Sequence, residues 1–336
     1  MHKKVILRLG LIFAFVMGIS VGVVYFTFDI RALNYLTIFK PWSVLLALTS
    51  LTLGLFFDAL RLVTLTQITD EKLPGKDVVK VVLSNYFLAL VTPGASGGAI
   101  AQIMFMKQAG VPMAKSTMVV FVRTIMSIMF LIIIVPFFIY YDPDVMAWIS
   151  IYVIATVSIL FTAIPVAAVL LMNTQIPQKV LYGLTQHLSH DRRRKCFVWY
   201  GDFKQAAFIM GQRPWMVLRA FIESGCSLLF IYAVVPAYFL GLNFDFNMMQ
   251  VMGRMLLLNL VLYFSPTPGG SGIAEAGFLV LFSKIVPDGT VGILAVLWRF
   301  TDEYIPFLLG GFLTLRTFGA SILSLTDKHS RQEDNK

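Results

Sequence analysis

Charged side chains are scarce in this sequence. They make up 13% of its 336 residues, whereas hydrophobic residues make up 58% and the mean hydropathy is +0.79. Soluble globular domains carry about 25% charged residues, so a soluble fold is excluded. The apolar residues fall in runs of about 20, the length that crosses a bilayer as a helix. The composition therefore predicts an all-α, polytopic membrane protein.

Cysteine and histidine are also rare, with two and four residues. Cys196 and Cys226 form no pattern typical of a disulfide or a metal site. The histidines all lie in terminal or loop segments: His2, His187, His190 and His329. The HLSH stretch at 187–190 could ligate a metal, but a surface helix explains it better, and no HExxH motif occurs. The sequence therefore predicts no metal, no cofactor and no catalytic constellation, which argues against an enzyme.

Acidic residues are outnumbered by basic ones, 18 to 27, which gives a net charge of +9. The densest basic cluster is RRRK at 192–195, inside the long polar segment 173–214. In a membrane protein this distribution indicates cytoplasmic topology and contact with anionic lipid headgroups rather than nucleic acid. Apolar residues at helical spacing predict amphipathic helices on the inner headgroup layer. A solvated connector is the alternative for this segment.

Uninterrupted apolar runs predict six spanning helices. They lie at 9–28, 42–66, 118–140, 145–172, 215–240 and 290–314. The first run lacks a small-residue cleavage site, so it is interpreted as a helix rather than a signal peptide.

Two further apolar segments, 82–109 and 248–286, are broken by glycine and proline. The breaks read TPGASG at 92–97 and TPGGSG at 267–272, and five of the six positions agree. A broken helix at bilayer depth is tolerated only where protein buries it or a wet cavity lines it. Two interrupted segments at corresponding places in two halves predict a transporter-like binding site.

Loop charge predicts how the broken segments meet the membrane. Lys3, Lys4 and Arg8 hold the N-terminus inside. If both broken segments are re-entrant hairpins with arms of about ten residues, the basic segment and the C-terminus also lie inside. If both broken segments crossed the membrane instead, the basic segment 173–214 would lie outside, against the positive-inside rule. We therefore expect an inverted-topology repeat, with the first hairpin entering from the cytoplasm and the second from the opposite side.

These predictions define one integral membrane domain, 1–328, in the cell membrane with both termini cytoplasmic. Repeat 1 covers about 42–140, repeat 2 covers about 215–316, and a disordered tail occupies 329–336.

Candidate binding residues form two groups. The first group belongs to the turns: Pro93, Gly94, Ser96, Gly97, Pro268, Gly269, Gly270, Ser271 and Gly272. Their glycines either pack the hairpin tips tightly or leave backbone N–H groups free for an anion at half-helix N-termini. The second group consists of charges at membrane depth, which are functional candidates by default: Arg123, Glu223, Glu275, Arg299 and Glu303.

Structural roles stay open for the charged group. Glu275 follows the second turn directly and could act only as a helix cap. Arg299 and Glu303, with Asp302 beside them, could be a self-satisfied ion pair. Arg123 and the i, i+3 pair of Asp58 with Arg61 could be structural anchors.

Three stretches together resemble the membrane domain of lysylphosphatidylglycerol synthases, the flippase-like domain also called the UPF0104 family. They are TPGASGGAIAQIMFMKQAGVPMAKST followed by Arg123, then SPTPGGSGIAEAGF, then WRFTDEYIPFLLGG. The resemblance covers nearly the whole chain. It implies movement of a phospholipid, typically aminoacylated or otherwise modified, between leaflets. Carried over by motif, it implicates Pro268, Gly269, Gly270, Gly272, Glu275 and Arg299.

The chain departs from the family pattern at one place. Many members have an acidic residue just after the first glycine turn, whereas this sequence has Ala99, Ile100, Ala101 and Gln102. No soluble aminoacyl-transferase domain is recognised, so lipid synthesis by this chain alone is not expected.

The main hypothesis is a lipid flippase with a headgroup cavity between the two hairpins. Arg299 and the turn N–H groups are expected to hold phosphate. Glu275 with Glu223 or Glu303 is expected to hold a cationic headgroup or a coupling proton. Two other hypotheses are a membrane-embedded transferase acting on a lipid-linked substrate and a non-transporting partner of a separate lipid synthase.

Overall fold

The computed structural model describes residues 40–147, 174, 176–186, 190–287, 289–314 and 316–317, together with residues 152, 156, 159 and 163. Within these residues the chain is helical and contains no strand. The predicted helix at 9–28, most of the predicted helix at 145–172 and the tail at 329–336 lie outside this part of the chain.

The described helices follow one another along the chain as α1 (Trp42–Ile68), α2 (Gly75–Val91), α3 (Ser96–Gln108), α4 (Met113–Tyr140), α5 (Pro143–Met146), α6 (Ile176–Thr185), α7 (His190–Gly211), α8 (Pro214–Tyr232), α9 (Val234–Gly241), α10 (Met248–Leu262), α11 (Ile273–Phe282) and α12 (Val291–Arg299). Helix α12 continues as a π-helix (Phe300–Tyr304) and then as an α-helix over 305–314.

Three helical segments in the described part are long and apolar enough to cross a bilayer: α1, α4 and α8 continued by α9. They correspond to the spans predicted at 42–66, 118–140 and 215–240. Helices α1 and α8 run antiparallel, because Ser50 Oγ donates to the Phe230 carbonyl and Ser227 Oγ donates to the Gly54 carbonyl, at 2.6 and 2.9 Å. A Cβ on Gly54 would lie 2.5 Å from the Ile231 side chain, so this glycine permits the close crossing.

The two broken segments form antiparallel helical hairpins. In α2–α3, Gln102 Nε2 donates to Asn85 Oδ1 at 2.8 Å, and a Cβ on Gly98 would lie 2.4 Å from the same oxygen. In α10–α11, a Cβ on Gly277 would lie 2.5 Å from the Leu258 side chain. Glycine therefore sets the close spacing of both hairpins.

The predicted start of the first hairpin at 82 is wrong. Helix α2 begins at Gly75 and has 17 residues, not about ten. Pro74 precedes its first turn, and Asp77 in that turn complements the helix dipole and accepts from Lys80 Nζ at 2.8 Å. Pro74 and Asp77 therefore favour a helix that begins ahead of position 82, where the apolar run begins. The arm is therefore about 25 Å long at 1.5 Å per residue.

Two apolar cores show how the hairpins are arranged. The first core joins the C-terminal part of α1 and the N-terminal part of α4 to the open end of hairpin α2–α3. The second core joins the opposite ends of α1 and α4 to the open end of hairpin α10–α11. The open ends of the two hairpins therefore lie at opposite ends of α1 and α4. Turn 1 (92–95) and turn 2 (265–272) pack against each other between the two cores.

An ion cluster in which Arg254 and Asp142 are buried connects the second hairpin to the far end of α4. Arg254 on α10 binds both oxygens of Asp142, at 2.6 and 2.9 Å, and Asp144 at 3.0 Å. Its guanidinium also donates to the Leu281 carbonyl on α11. Asp142 is fully buried. Arg254 thus ties both arms of the hairpin to the start of α5.

Much of the polar segment 173–214 is helical, as predicted. Helix α7 packs against α4 and places Ala206 and Met210 in the first core. The Arg193 guanidinium lies 3.9 Å from the centre of the Tyr182 ring, which joins α7 to α6 by a cation–π contact.

Candidate functional site

A cavity of about 420 Å³ lies where the two turns meet. Its wall includes Gly94 and Ser96 from the first hairpin and Gly269 and Gly270 from the second. Residues of both hairpins therefore line the cavity, together with residues of α1, α4, α8 and the π-helix. Its volume falls in the range of pockets that take a small ligand or a headgroup, roughly 300–1,000 Å³.

One wall of the cavity carries two arginines on a single carboxylate. Arg61 and Arg123 both bind Asp58, so the predicted pairing of Asp58 with Arg61 is confirmed. Arg61 also donates to Ser127 and Ser224, at 2.6 Å each. Two guanidinium groups against one carboxylate leave this wall with a formal charge of +1.

Gln102 links this wall to the first hairpin. Its amide oxygen accepts from Arg123, and its amide nitrogen donates to Asn85 Oδ1 at 2.8 Å. The residue lines the cavity and is 5% exposed. A neutral amide therefore orients Arg123 without cancelling its charge.

A second part of the wall is acidic and belongs to the π-helix. Asp302 and Glu303 both line the cavity. Asp302 Oδ2 accepts from the Trp298 indole at 2.7 Å, and Glu303 pairs with Arg299 Nη1 at 3.0 Å. A π-helical turn is rare and occurs often at functional sites. Here it presents two consecutive carboxyl groups to one cavity.

Arg299 and Glu275 lie behind turn 2 rather than in the cavity wall. Arg299 Nε meets Glu275 Oε1 at 3.1 Å, so the two residues are neighbours as predicted. Arg299 Nη2 donates to the Gly269 carbonyl at 2.8 Å, and Gly272 N donates to Glu275 Oε2 at 2.7 Å. Both charged side chains are fully buried. Their described contacts shape the turn and cap α11.

The turns use some of the amide groups that could have faced an anion. Gly97 N donates to Thr92 Oγ1 at 2.9 Å, and Gly272 N donates to Glu275 Oε2. A Cβ on Gly97 would lie 2.6 Å from the Thr92 side chain, so close packing alone requires this glycine. Gly269 has a φ of +56° and would place a Cβ 2.4 Å from Leu90, so both its conformation and its space favour glycine.

Among the described side chains, the remaining predicted residues are outside the cavity wall. Glu223 pairs with Arg219 Nε at 2.8 Å on α8. Ser271 is buried, and its hydroxyl donates to the Pro268 carbonyl at 2.7 Å. The backbone of Pro93 begins the 3₁₀ turn, and its side chain lies outside the described part.

Two wall residues carry signals that sequence reasoning did not use. The sequence indicates Asp302 only as a neighbour of Arg299 and Glu303, because a regular helix does not bring adjacent residues to one face. Gln102 stands out as a polar side chain in an apolar half-helix, yet its partner Arg123 lies on another helix. Among the described residues, no group of three or more His, Cys, Asp or Glu side chains could hold a metal ion.

Comparison with known proteins places these features in a family. The family model described as the lysylphosphatidylglycerol synthase TM region matches residues 5–310. A UPF0104 membrane protein of Archaeoglobus fulgidus is 20% identical over 260 residues, which cover 75% of this chain and 79% of that relative. The family is related to lipid metabolism. With its repeated glycine turns and its membrane-length helices, the chain is a multi-pass membrane protein that belongs to the lysylphosphatidylglycerol synthase TM region family.

Proposed function

We propose that this protein is a lipid flippase. The lipid headgroup would pass through the cavity between turns 1 and 2 while the acyl chains remain in the bilayer. The observation that carries the proposal is a cavity lined by charged residues and by the turns of two hairpins whose open ends lie at opposite ends of the bundle. Transporters built from inverted repeats place their substrate site at such a meeting of broken helices near the midplane.

The charges at the two ends of the bundle support one membrane arrangement. Hairpins α2–α3 and α10–α11 would be re-entrant, and the predicted helices at 9–28 and 145–172 would complete six spans. The end with the first core carries lysines on the loops and the basic helix α7, so it would face the cytoplasm. Helices α6 and α7 would contact anionic lipid headgroups there. Both termini would lie on this side of the cell membrane.

The two walls suggest how a headgroup would bind. Arg61 and Arg123 share one carboxylate, so a phosphodiester would neutralise the remaining positive charge. Glu303, whose side chain is 30% exposed, would face a cationic group on an aminoacylated lipid. Arg299 and Glu275 would act by holding turn 2 in shape, since both are fully buried.

Flipping in proteoliposomes tests the proposal. Fluorescent phosphatidylglycerol and its lysyl ester would be incorporated in the membrane, and a membrane-impermeant quencher would report the outer-leaflet fraction. The wild type should expose inner-leaflet lipid to the quencher, and Arg123→Gln should slow this by about tenfold or more, because a hydrogen bond to a charged group contributes about 1.5–3 kcal/mol. Arg123→Gln leaves Asp58 paired with Arg61, so the fold should survive.

The matched control is Arg213→Gln, which removes an arginine bound to Asp70 outside the cavity wall. It should flip lipid at the wild-type rate. Absence of flipping for every lipid with the wild type would overturn the proposal.

The same vesicles separate the rival functions. Chemical conversion of the recovered lipid would favour a membrane-embedded transferase. An inert protein that becomes active only with a separate lipid synthase would favour a partner subunit.

A further inference from the structure

One carboxyl oxygen in the acidic wall, Oδ1 of Asp302, accepts no hydrogen bond within the described part of the chain. Asp302 is 6% exposed and lines the cavity. Its Oδ2 accepts from Trp298, whereas Oδ1 has no hydrogen-bond donor among the described residues. An ionised carboxylate withdrawn from water requires a cation or several donors to compensate for lost hydration.

The nearby cation does not meet this need. Arg299 is engaged by both Glu275 and Glu303, which leaves three carboxylates with one guanidinium and a formal charge of −2 around turn 2 when all are ionised. Net charge of this size inside a membrane is costly. Neutralising Asp302 would remove half of it.

Groups on the other elements around Asp302 supply little compensation. Tyr86 on α2, Tyr232 on α8 and Tyr238 on α9 lie within electrostatic range, and neutral phenols carry no charge. The cavity-lining groups from α1, α4 and the end of α10 are Asp58, Arg61, Arg123 and Tyr263. Both of these arginines bind Asp58, which leaves their excess charge on the basic wall.

We propose that Asp302 is a proton-binding site that couples lipid movement to a proton gradient. The carboxyl group would hold a proton when the cavity is enclosed, with Oδ1 carrying the hydrogen. It would release the proton to cavity water when the cavity opens, which leaves a carboxylate. The coupling rests on the proposed flippase function, whereas proton binding does not.

Infrared difference spectra of the purified full-length protein test proton binding without transport. Titration with alkali should remove a carboxylic-acid C=O band in the wild type. Asp302→Asn should lack this band and is close to isosteric, so Trp298 keeps an acceptor. Asp77→Asn removes a carboxyl group that pairs with Lys80 outside the cavity wall, and it should keep the band. The same band in Asp302→Asn would overturn the proton site.

Proteoliposomes with an imposed pH gradient test the coupling. In the wild type, the gradient should shift the distribution of fluorescent lipid between leaflets. Asp302→Asn should lose the response to the gradient, and Asp302→Glu, which keeps a titratable carboxyl, should retain it. Wild-type flipping that ignores the gradient would overturn the coupling while the flippase function stands. No flipping at all would overturn the proposed function, and the infrared spectra would still decide the proton site.

Discussion

At the scale of single residues, Arg299 connects the second turn to the helix behind it. Its guanidinium meets Glu275, Glu303 and the Gly269 carbonyl. The planar guanidinium can donate to these three acceptors at once, because its N–H groups point in several fixed directions. The ammonium group of a lysine lacks this geometry. The structure of turn 2 therefore depends on a residue outside the cavity wall.

Arg299→Gln should lower the free energy of unfolding by about 3–5 kcal/mol, because it leaves the buried carboxylate of Glu275 uncompensated. The double variant Glu275→Gln with Arg299→Gln should recover part of this loss, since the two effects are coupled. Thermal unfolding in detergent measures both. Transport should be lost in both variants, because turn 2 loses its link to α12. Wild-type transport in the double variant would contradict this role.

Turn 1 contains a strained alanine. Ala95 has a φ of +52°, a left-handed conformation that costs a non-glycine residue about 1–2 kcal/mol. Ala95→Gly should therefore stabilise the protein by up to about 1 kcal/mol. Gly94 is the matched position, because its φ is +59° and an added Cβ would lie 4.0 Å from the nearest neighbouring atom. Gly94→Ala should destabilise although the space is open, and equal unfolding temperatures for the two variants would contradict the assignment of strain.

At the scale of elements, hairpin α10–α11 is held at its open end by Arg254. The guanidinium joins Asp142, Asp144 and the Leu281 carbonyl, so it fixes both arms against the end of α4. At the open end of the first hairpin, the pair of Lys80 with Asp77 lies within α2 and is partly exposed. The two hairpins thus differ in the ion pairs at their open ends.

Arg254→Gln should destabilise the protein by about 3–5 kcal/mol, because Asp142 stays buried without its cation. Amide hydrogen exchange should rise in α10 and α11 before it rises in α2 and α3. Lys80→Gln is the control and should change stability by at most about 1 kcal/mol, as partly exposed pairs do. Equal exchange in both hairpins would show that the cluster does not hold the second one.

At the scale of the whole molecule, the sequence predicted the features that repeat or depend on composition. The two TPG turns predicted both hairpins, and apolar length predicted the helices at 42–66, 118–140 and 215–240. The features it missed depend on contacts between distant residues. Arg254 and Asp142 are separated by 112 positions in the sequence, and Arg123 and Asp58 are separated by 65 positions. No local pattern reveals such pairs, nor the π-helical turn that brings Asp302 to the cavity.

Cysteine labelling tests the proposed inverted topology. Gln108 ends α3 and Ser283 follows α11, and both are exposed. With Cys196 and Cys226 replaced by serine, Gln108→Cys should react with a membrane-impermeant reagent only from the cytoplasmic side, and Ser283→Cys only from the other side. Gly110 is a poorer site, because its φ of +96° would strain a cysteine. Labelling of both positions from one side would remove the inverted repeat.

The most direct test of the central claim blocks the cavity and measures flipping. Ser96 is exposed and lines the cavity beside turn 1, whereas Gln108 lies outside the wall. In the background without native cysteines, Ser96→Cys and Gln108→Cys would each be labelled with a bulky thiol reagent before the proteoliposome assay. Labelling at 96 should stop lipid flipping, and labelling at 108 should leave the rate unchanged. Undiminished flipping by protein fully labelled at 96 would contradict the account.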